Sequence, residues 1–130
     1  MTLLDSSVWI AYLNVEDSQY AKAKREMASA SLPIILPEYV ILEVCTVLAM
    51  RAGKDIADRF LELVSDNKDV RVLLTDPRFF DDLIGLYRSL PGKALSFADA
   101  ALLLLADQFK TITFDVRLRA AIRRRSRGLS

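Results

Sequence analysis

The chain has 130 residues, 52% apolar and 27% charged, a globular composition at a length that suits one domain, residues 1–130, burying about two-thirds of the surface its unfolded form exposes. No apolar run reaches the roughly 18 residues of a membrane span, and the start Met1-Thr2-Leu3-Leu4-Asp5 lacks the basic region and cleavage site of a secretory signal. One cysteine, Cys45, excludes an intrachain disulfide and fits a reducing cytosol; the absence of histidine removes Ser-His-Asp and Cys-His catalysis and most zinc sites.

Net charge is +1 but unevenly spread. Residues 1–115 hold 12 Lys/Arg against 17 Asp/Glu, a balance of −5, whereas residues 116–130 hold six Arg and no acid. An acidic body with a basic tail points either to an anionic partner reached by the tail or to a solvated terminal helix.

The first stretch, Thr2-Leu3-Leu4, reads as a buried strand ending on Asp5. A short helix is expected from Ser6 to Asn14, with Val8, Trp9, Tyr12 and Leu13 inward, and a second from Ser18 to Ala30. Leu32–Leu36 reads as a strand in which Pro33 demands an edge or the strand's start. Pro37 opens a helix that runs to about Ala52 and stops at Gly53, with Val40, Ile41, Val44, Val47 and Leu48 at helical spacing and Glu43 among them. Cys45 is expected in the core. Lys54–Ser65 is amphipathic, with Ile56, Phe60, Leu61 and Val64 as its stripe.

Val70–Leu74 reads as the third strand. Asp76-Pro77 gives a cap and first-turn proline for a helix to about Leu90, broken by Pro91-Gly92. Ser96 caps a helix from Phe97 to Phe109 whose run Ala100–Ala106 is apolar all round, as suits a helix buried on a sheet. Lys110–Phe114 is the last strand, ending on Asp115, and a basic helix follows from Val116. Strands alternating with helices predict an α/β fold with a parallel sheet of four or five strands.

In such a sheet, ligands bind outside the carboxyl ends of the strands. Asp5 and Asp115 each end a strand and so reach the same edge, although each also fits a plain helix cap. Asp99 stands three residues after Ser96, the capping-box spacing. Glu43 lies on a packed helix face, where a lone carboxylate is costly unless paired or metal-bound. Asp55, Asp58, Asp81 and Asp82 lie early in amphipathic helices and read as surface charge.

Together these segments resemble the PIN-domain ribonucleases, in particular VapC-type toxins of prokaryotic toxin–antitoxin pairs. The resemblance rests on Leu4-Asp5-Ser6-Ser7, on Glu43, on Leu95-Ser96-Phe97-Ala98-Asp99-Ala100 and on Thr113-Phe114-Asp115-Val116-Arg117-Leu118, in that order over nearly the whole chain. It implies a three-layer fold with helices flanking the sheet. Asp5, Glu43, Asp99 and Asp115 would hold Mg²⁺ or Mn²⁺, and Ser6 and Thr113 would orient the first and last acids. The activity implied is metal-dependent cleavage of RNA by a cytoplasmic protein with a cognate antitoxin and a homodimeric state. Carboxylates suit a hard ion that lowers the pKa of its water, the more so where no histidine can act as base. The tail arginines Arg117, Arg119, Arg123, Arg124, Arg125 and Arg127 are candidates for substrate phosphates, with antitoxin contact or solubility as the alternatives. The family often adds a strand after the last acid, where this chain turns Arg-rich. Two other readings stand beside this one: a non-catalytic PIN-like scaffold, and a receiver-like phosphate domain using Thr75-Asp76-Pro77, which lacks an acidic neighbour for Asp5.

Overall fold

The computed structural model describes residues 1–92 and 95–128. Among them the chain forms β1 (Thr2–Leu4), α1 (Ser6–Leu13), α2 (Tyr20–Ser29), β2 (Ile34–Pro37), α3 (Glu38–Arg51), α4 (Lys54–Val64), β3 (Val70–Leu73), α5 (Pro77–Ser89), α6 (Phe97–Leu105), β4 (Lys110–Ile112) and α7 (Val116–Ser126). The four strands are all parallel, in the order β3-β2-β1-β4. The chain builds outward from β1 through β2 to β3, then crosses back so that β4 pairs with the other side of β1, with Leu3 opposite Thr111. The β1/β4 crevice is therefore the switch point of the topology, the place where an open parallel sheet presents ligand sites.

Strand alternation sorts the core into two faces. Leu4, Ile34 and Leu36 point to one side, against Val8 and Trp9 of α1, Ala23 of α2, Val40, Val44 and Leu48 of α3, and Phe60 and Val64 of α4. Leu3 and Ile35 point to the other, against Leu102 and Leu105 of α6 and Leu118 of α7. Helices thus cover both faces, giving the three layers expected. Trp9 meets Phe60 edge to face, with ring centroids 5.4 Å apart, an arrangement that adds to the area both rings bury.

Several boundaries shift for local reasons. The second helix begins at Tyr20, not Ser18, because the Asn14 and Asp17 side chains accept from the backbone N–H groups of Glu16 and Gln19 and hold the chain in turns. The second strand lies inside the sheet, between β1 and β3, and Pro33 precedes its first residue. Pro37 ends that strand and caps α3 rather than opening the helix. Helix α6 stops at Leu105, earlier than Phe109, in a turn where Gln108 and Phe109 donate to the Leu105 carbonyl. The strands β3 and β4 end at Leu73 and Ile112. In α4, Leu61 is exposed and Ala57 takes its place in the core. Cys45 is half-buried at the edge of the core, not inside it, and partial burial pushes its thiol up. Gly53 turns α3 into α4 at φ +100°, a conformation that L side chains rarely adopt.

Candidate active site: a carboxylate cleft at the sheet switch point

Asp5 ends β1 and is 8% exposed. Its Oδ1 accepts from the Ser6 N–H at 2.7 Å and from the Ser6 hydroxyl at 3.4 Å. Its Oδ2 accepts from the Thr113 hydroxyl at 2.7 Å and from the Ser7 hydroxyl at 3.3 Å. Asp5 is therefore the cap of α1, as its sequence position allows, and is also gripped across the crevice from beyond β4. Thr113, itself buried, accepts from the Asp115 N–H at 3.1 Å, while the Ser7 oxygen accepts from the Phe114 N–H at 3.1 Å. One small network fixes both strand ends.

The other acids approach from separate elements. Asp115 caps α7, its Oδ1 accepting from the N–H groups of Arg117 at 2.9 Å and Leu118 at 3.2 Å. Asp99 closes a capping box on α6: its Oδ2 accepts from the Ser96 N–H at 3.0 Å, and its own N–H donates to the Ser96 hydroxyl at 3.0 Å. Each cap uses one carboxylate oxygen, and among the described residues the other has no hydrogen-bond partner. Glu43 projects from the middle of α3. Asp5, Glu43, Asp99 and Asp115 all line one open cavity of about 460 Å³, together with Ser6, Ser7, Asp17, Val47 and Arg51. The three capped helices α1, α6 and α7 start beside it, so their positive dipole ends favour the accumulated negative charge.

Electrostatics show the crowding. Burial pushes the Asp5 carboxyl up, the Thr113, Ser6 and Ser7 donors offset part of this, and the charge of Asp99 adds to the rise. Glu43 is pushed up by burial, then by the charges of Asp5 and Asp99, with the Ser6 hydroxyl opposing. The Tyr39 phenol, on the neighbouring turn of α3, is also held up by burial and by Asp5, Glu43 and Asp99; its buried oxygen has no hydrogen-bond partner among the described residues. Two ion pairs form among those residues, Lys54–Asp58 and Arg125–Asp107, and neither involves a cleft acid.

The four acids of the cleft offer oxygen ligands, among the described residues no cation is in an ion pair with them, and this chemistry suits a hard divalent ion. Among the described residues no three acids stand close enough to form a preformed ligand group. The fit is thus one of donor type and uncompensated charge.

The tail arginines do not act as one group. Arg119 donates from Nη2 to the Thr113 carbonyl at 3.1 Å, close to the cleft. Arg125 is held by Asp107 at 2.9 Å on another face. Arg124 joins it on the wall of a larger, mainly apolar cavity of about 520 Å³ between α5, α6 and α7, which has no carboxylate among the described residues of its lining. Arg117, Arg123 and Arg127 are exposed. The sequence reading missed Ser7, Asp17, Arg51 and Tyr39. Ser7 had a signal in the pair Ser6-Ser7; Arg51 and Tyr39 sit eight residues after and four before Glu43 on the same helix, spacings that put them near its face.

A parallel α/β sheet with carboxylates gathered at its switch point defines a class of acidic-cleft domains. The family model for the PIN domain matches residues 2–123, and the chain belongs to that family. No curated protein sequence matches it. Among solved structures, the fold is similar to the crystal structure of Mycobacterium tuberculosis VapC20, described as a sarcin–ricin loop cleaving toxin, with a TM-score of 0.83 and 22% identity over 93% of this chain and 95% of that one.

Proposed function

We propose that this protein is a metal-dependent endoribonuclease and the toxin of a prokaryotic type II toxin–antitoxin pair. The observation that carries the reading is the convergence of Asp5, Glu43, Asp99 and Asp115 on one cleft without a paired protein cation. Membership of the PIN family and the fold shared with an RNA-cleaving toxin support it.

In this reading the four carboxylates hold Mg²⁺ or Mn²⁺. Such an ion, when bound, lowers the pKa of its water and offsets phosphate charge. The chain's own work is positional. Thr113, Ser6 and Ser7 fix both oxygens of Asp5. The caps of α6 and α7 fix Asp99 and Asp115 through one oxygen of each. Glu43 caps no helix and is met by the Ser6 hydroxyl. Arg51, at the cleft wall and exposed, is placed to meet an anionic substrate.

The partners of this reading are RNA, a cognate antitoxin and a second copy of the chain. An exposed aromatic cluster, in which Phe97 of α6 meets Tyr87 and Phe80 of α5 at centroid distances of 5.2 and 6.4 Å, supplies apolar surface that supports the dimer. No helix among the described residues is long and apolar enough to cross a membrane, which is consistent with a cytoplasmic site of action.

The test is cleavage of single-stranded RNA with Mg²⁺ or Mn²⁺, with and without EDTA, for the wild type and for Asp99→Asn. The expected result is cleavage that EDTA abolishes and the variant lacks. Undiminished cleavage in EDTA rules out the metal, and absence of cleavage in every condition favours the binding-scaffold alternative.

A further inference from the structure

We propose that single-stranded RNA leaves the acid cleft across the Phe114 ring and enters the groove beside the outer edge of β4, where Lys22, Lys110 and Arg119 hold its phosphates. This path rests on the nuclease reading and deepens it by naming the substrate track.

Phe114 lines both the acid cleft and a second cavity of about 300 Å³, so the two adjoin at one aromatic residue. The second cavity runs along β4, the edge strand of the sheet, between α2 and the start of α7. The Lys22 ammonium lies 4.8 Å from the Phe114 ring centroid. Lys110 opens β4, and the Arg119 guanidinium is fixed by its bond to the Thr113 carbonyl. Glu26 is the acid on this wall, leaving the lining with an excess of two positive charges. Among the described residues none of the three cations is in an ion pair.

In a body whose first 115 residues carry a balance of −5, such a concentration of unpaired cations beside the carboxylate cleft is not what the average composition would give. Phe114 is half-buried against the core with Lys22 over its ring; an aromatic ring beside cations is the pairing that binds single-stranded nucleic acid, a base stacking on the ring in place of the ammonium, which then meets a phosphate. The rest of the basic tail is elsewhere: Arg125 is bound to Asp107, and Arg124 faces the α5–α7 cavity. Arg119 is the tail residue that shares the groove.

The test measures binding of a fluorescent single-stranded oligoribonucleotide to Asp99→Asn protein across a salt series, with wild-type cleavage run in parallel. Each phosphate contact on a single strand contributes about 0.7 to the slope of log affinity against log salt. Adding Lys22→Ala and Lys110→Ala should flatten that slope by about 1.4, whereas adding Arg124→Ala and Arg127→Ala should leave it unchanged. Phe114→Leu should weaken binding about 5- to 150-fold with little change of slope, and Phe114→Tyr should restore it. Circular dichroism confirms that each variant is folded. Wild-type cleavage with an unchanged slope in the Lys22/Lys110 variant, or a slope that falls only in the Arg124/Arg127 variant, overturns this track and leaves the nuclease reading standing. Absence of both cleavage and binding overturns the nuclease reading itself. Loss of binding to an acidic peptide, with RNA binding intact, assigns the groove to a protein partner and overturns the proposal.

Discussion

Asp76 and Asp115 do the same local job at two places along one sheet edge. Each follows a strand, each adopts extended backbone, and each caps the next helix: Asp76 accepts from the Phe79 N–H at 2.8 Å, Asp115 from the Arg117 N–H at 2.9 Å. Yet Asp115 lies in a cleft with Asp5, Glu43 and Asp99, whereas Asp76 lines a different cavity of about 360 Å³ with Arg78, Asp82 and Tyr39. The difference is topological. β4 returns to pair with β1, bringing its end against that of the first strand, while β3 lies at the far edge and pairs with β2. A capping aspartate becomes part of a site when the sheet places a second strand end, and two more helices with acids, beside it. The same contrast disposes of the receiver-like alternative, because the chain's own fold gives Asp76 no acidic partner from β1.

The largest expected effect breaks the pair most sharply. Asp5→Asn and Asp99→Asn should each lower RNA cleavage by at least about 100-fold, a size seen even for residues that only support a metal ligand, while Asp76→Asn should stay close to wild type. Equal losses at Asp76 and Asp99 in a cleavage assay would erase the distinction between cap and site.

Binding of the ion alone gives the next test. Mn²⁺ at about 100 times its dissociation constant should stabilise the folded chain by about 2.7 kcal/mol, a melting shift of roughly 8–13 °C at this length. Asp76→Asn should keep that shift and Asp5→Asn should lose most of it. A metal-blind melt for the wild type would sink the ion-binding role of the cleft.

Thr113→Val removes the buried hydroxyl that meets Asp5 at 2.7 Å. The expected cost is about 1.5–3 kcal/mol for a hydrogen bond to a charged group, with cleavage lowered roughly 10- to 100-fold. Chemical denaturation and rate measurements on the same variant check both; wild-type cleavage there would leave Thr113 outside the machinery.

The smallest effect concerns pH. Asp5 and Glu43 are both held above their ordinary range, chiefly by burial; the charge of Asp99 adds to the rise at Asp5, and those of Asp5 and Asp99 add to it at Glu43. A carboxyl whose native pKa is raised binds more protons folded than unfolded in the window between the two values. Stability is then fully present below the unfolded pKa and is lost as pH rises through the folded one. Metal-free protein should therefore lose part of its stability as pH climbs out of the ordinary carboxylate range, and saturating Mn²⁺ should cancel that loss. Thermal melts across pH in EDTA and in Mn²⁺ check it, and a metal-free curve that rises over this window would contradict the assigned direction.

Much of this was written in the chain. Short apolar runs read the strands and period-3.6 spacing the helices, and among the described residues both fell within a few residues of the observed elements, because burial is a local requirement on residue type and spacing. Asp5, Ser96 with Asp99, Asp76 and Asp115 were each readable as caps, and each is one. Boundary errors arose where side chains compete with the helix, as at Asn14 and Asp17, or where a proline suits two roles, as at Pro37. Leu61 and Cys45 were placed inward by hydropathy, and the packing of α3 against α4 left Leu61 outside and Cys45 at the margin.

What the sequence by itself determined was the alternation of elements, the caps and the presence of a carboxylate on the packed face of α3. The resemblance of its motifs supplied the grouping of the four acids. Only the tertiary structure decided that β4 pairs with β1, that Thr113 reaches 2.7 Å from Asp5 across 108 residues, and that Arg119 lies in the groove while Arg124 and Arg125 line the α5–α7 cavity. The reason is physical: capping and periodicity act over three or four residues of chain, whereas strand order and the convergence of charges depend on contacts between segments that local preference does not encode.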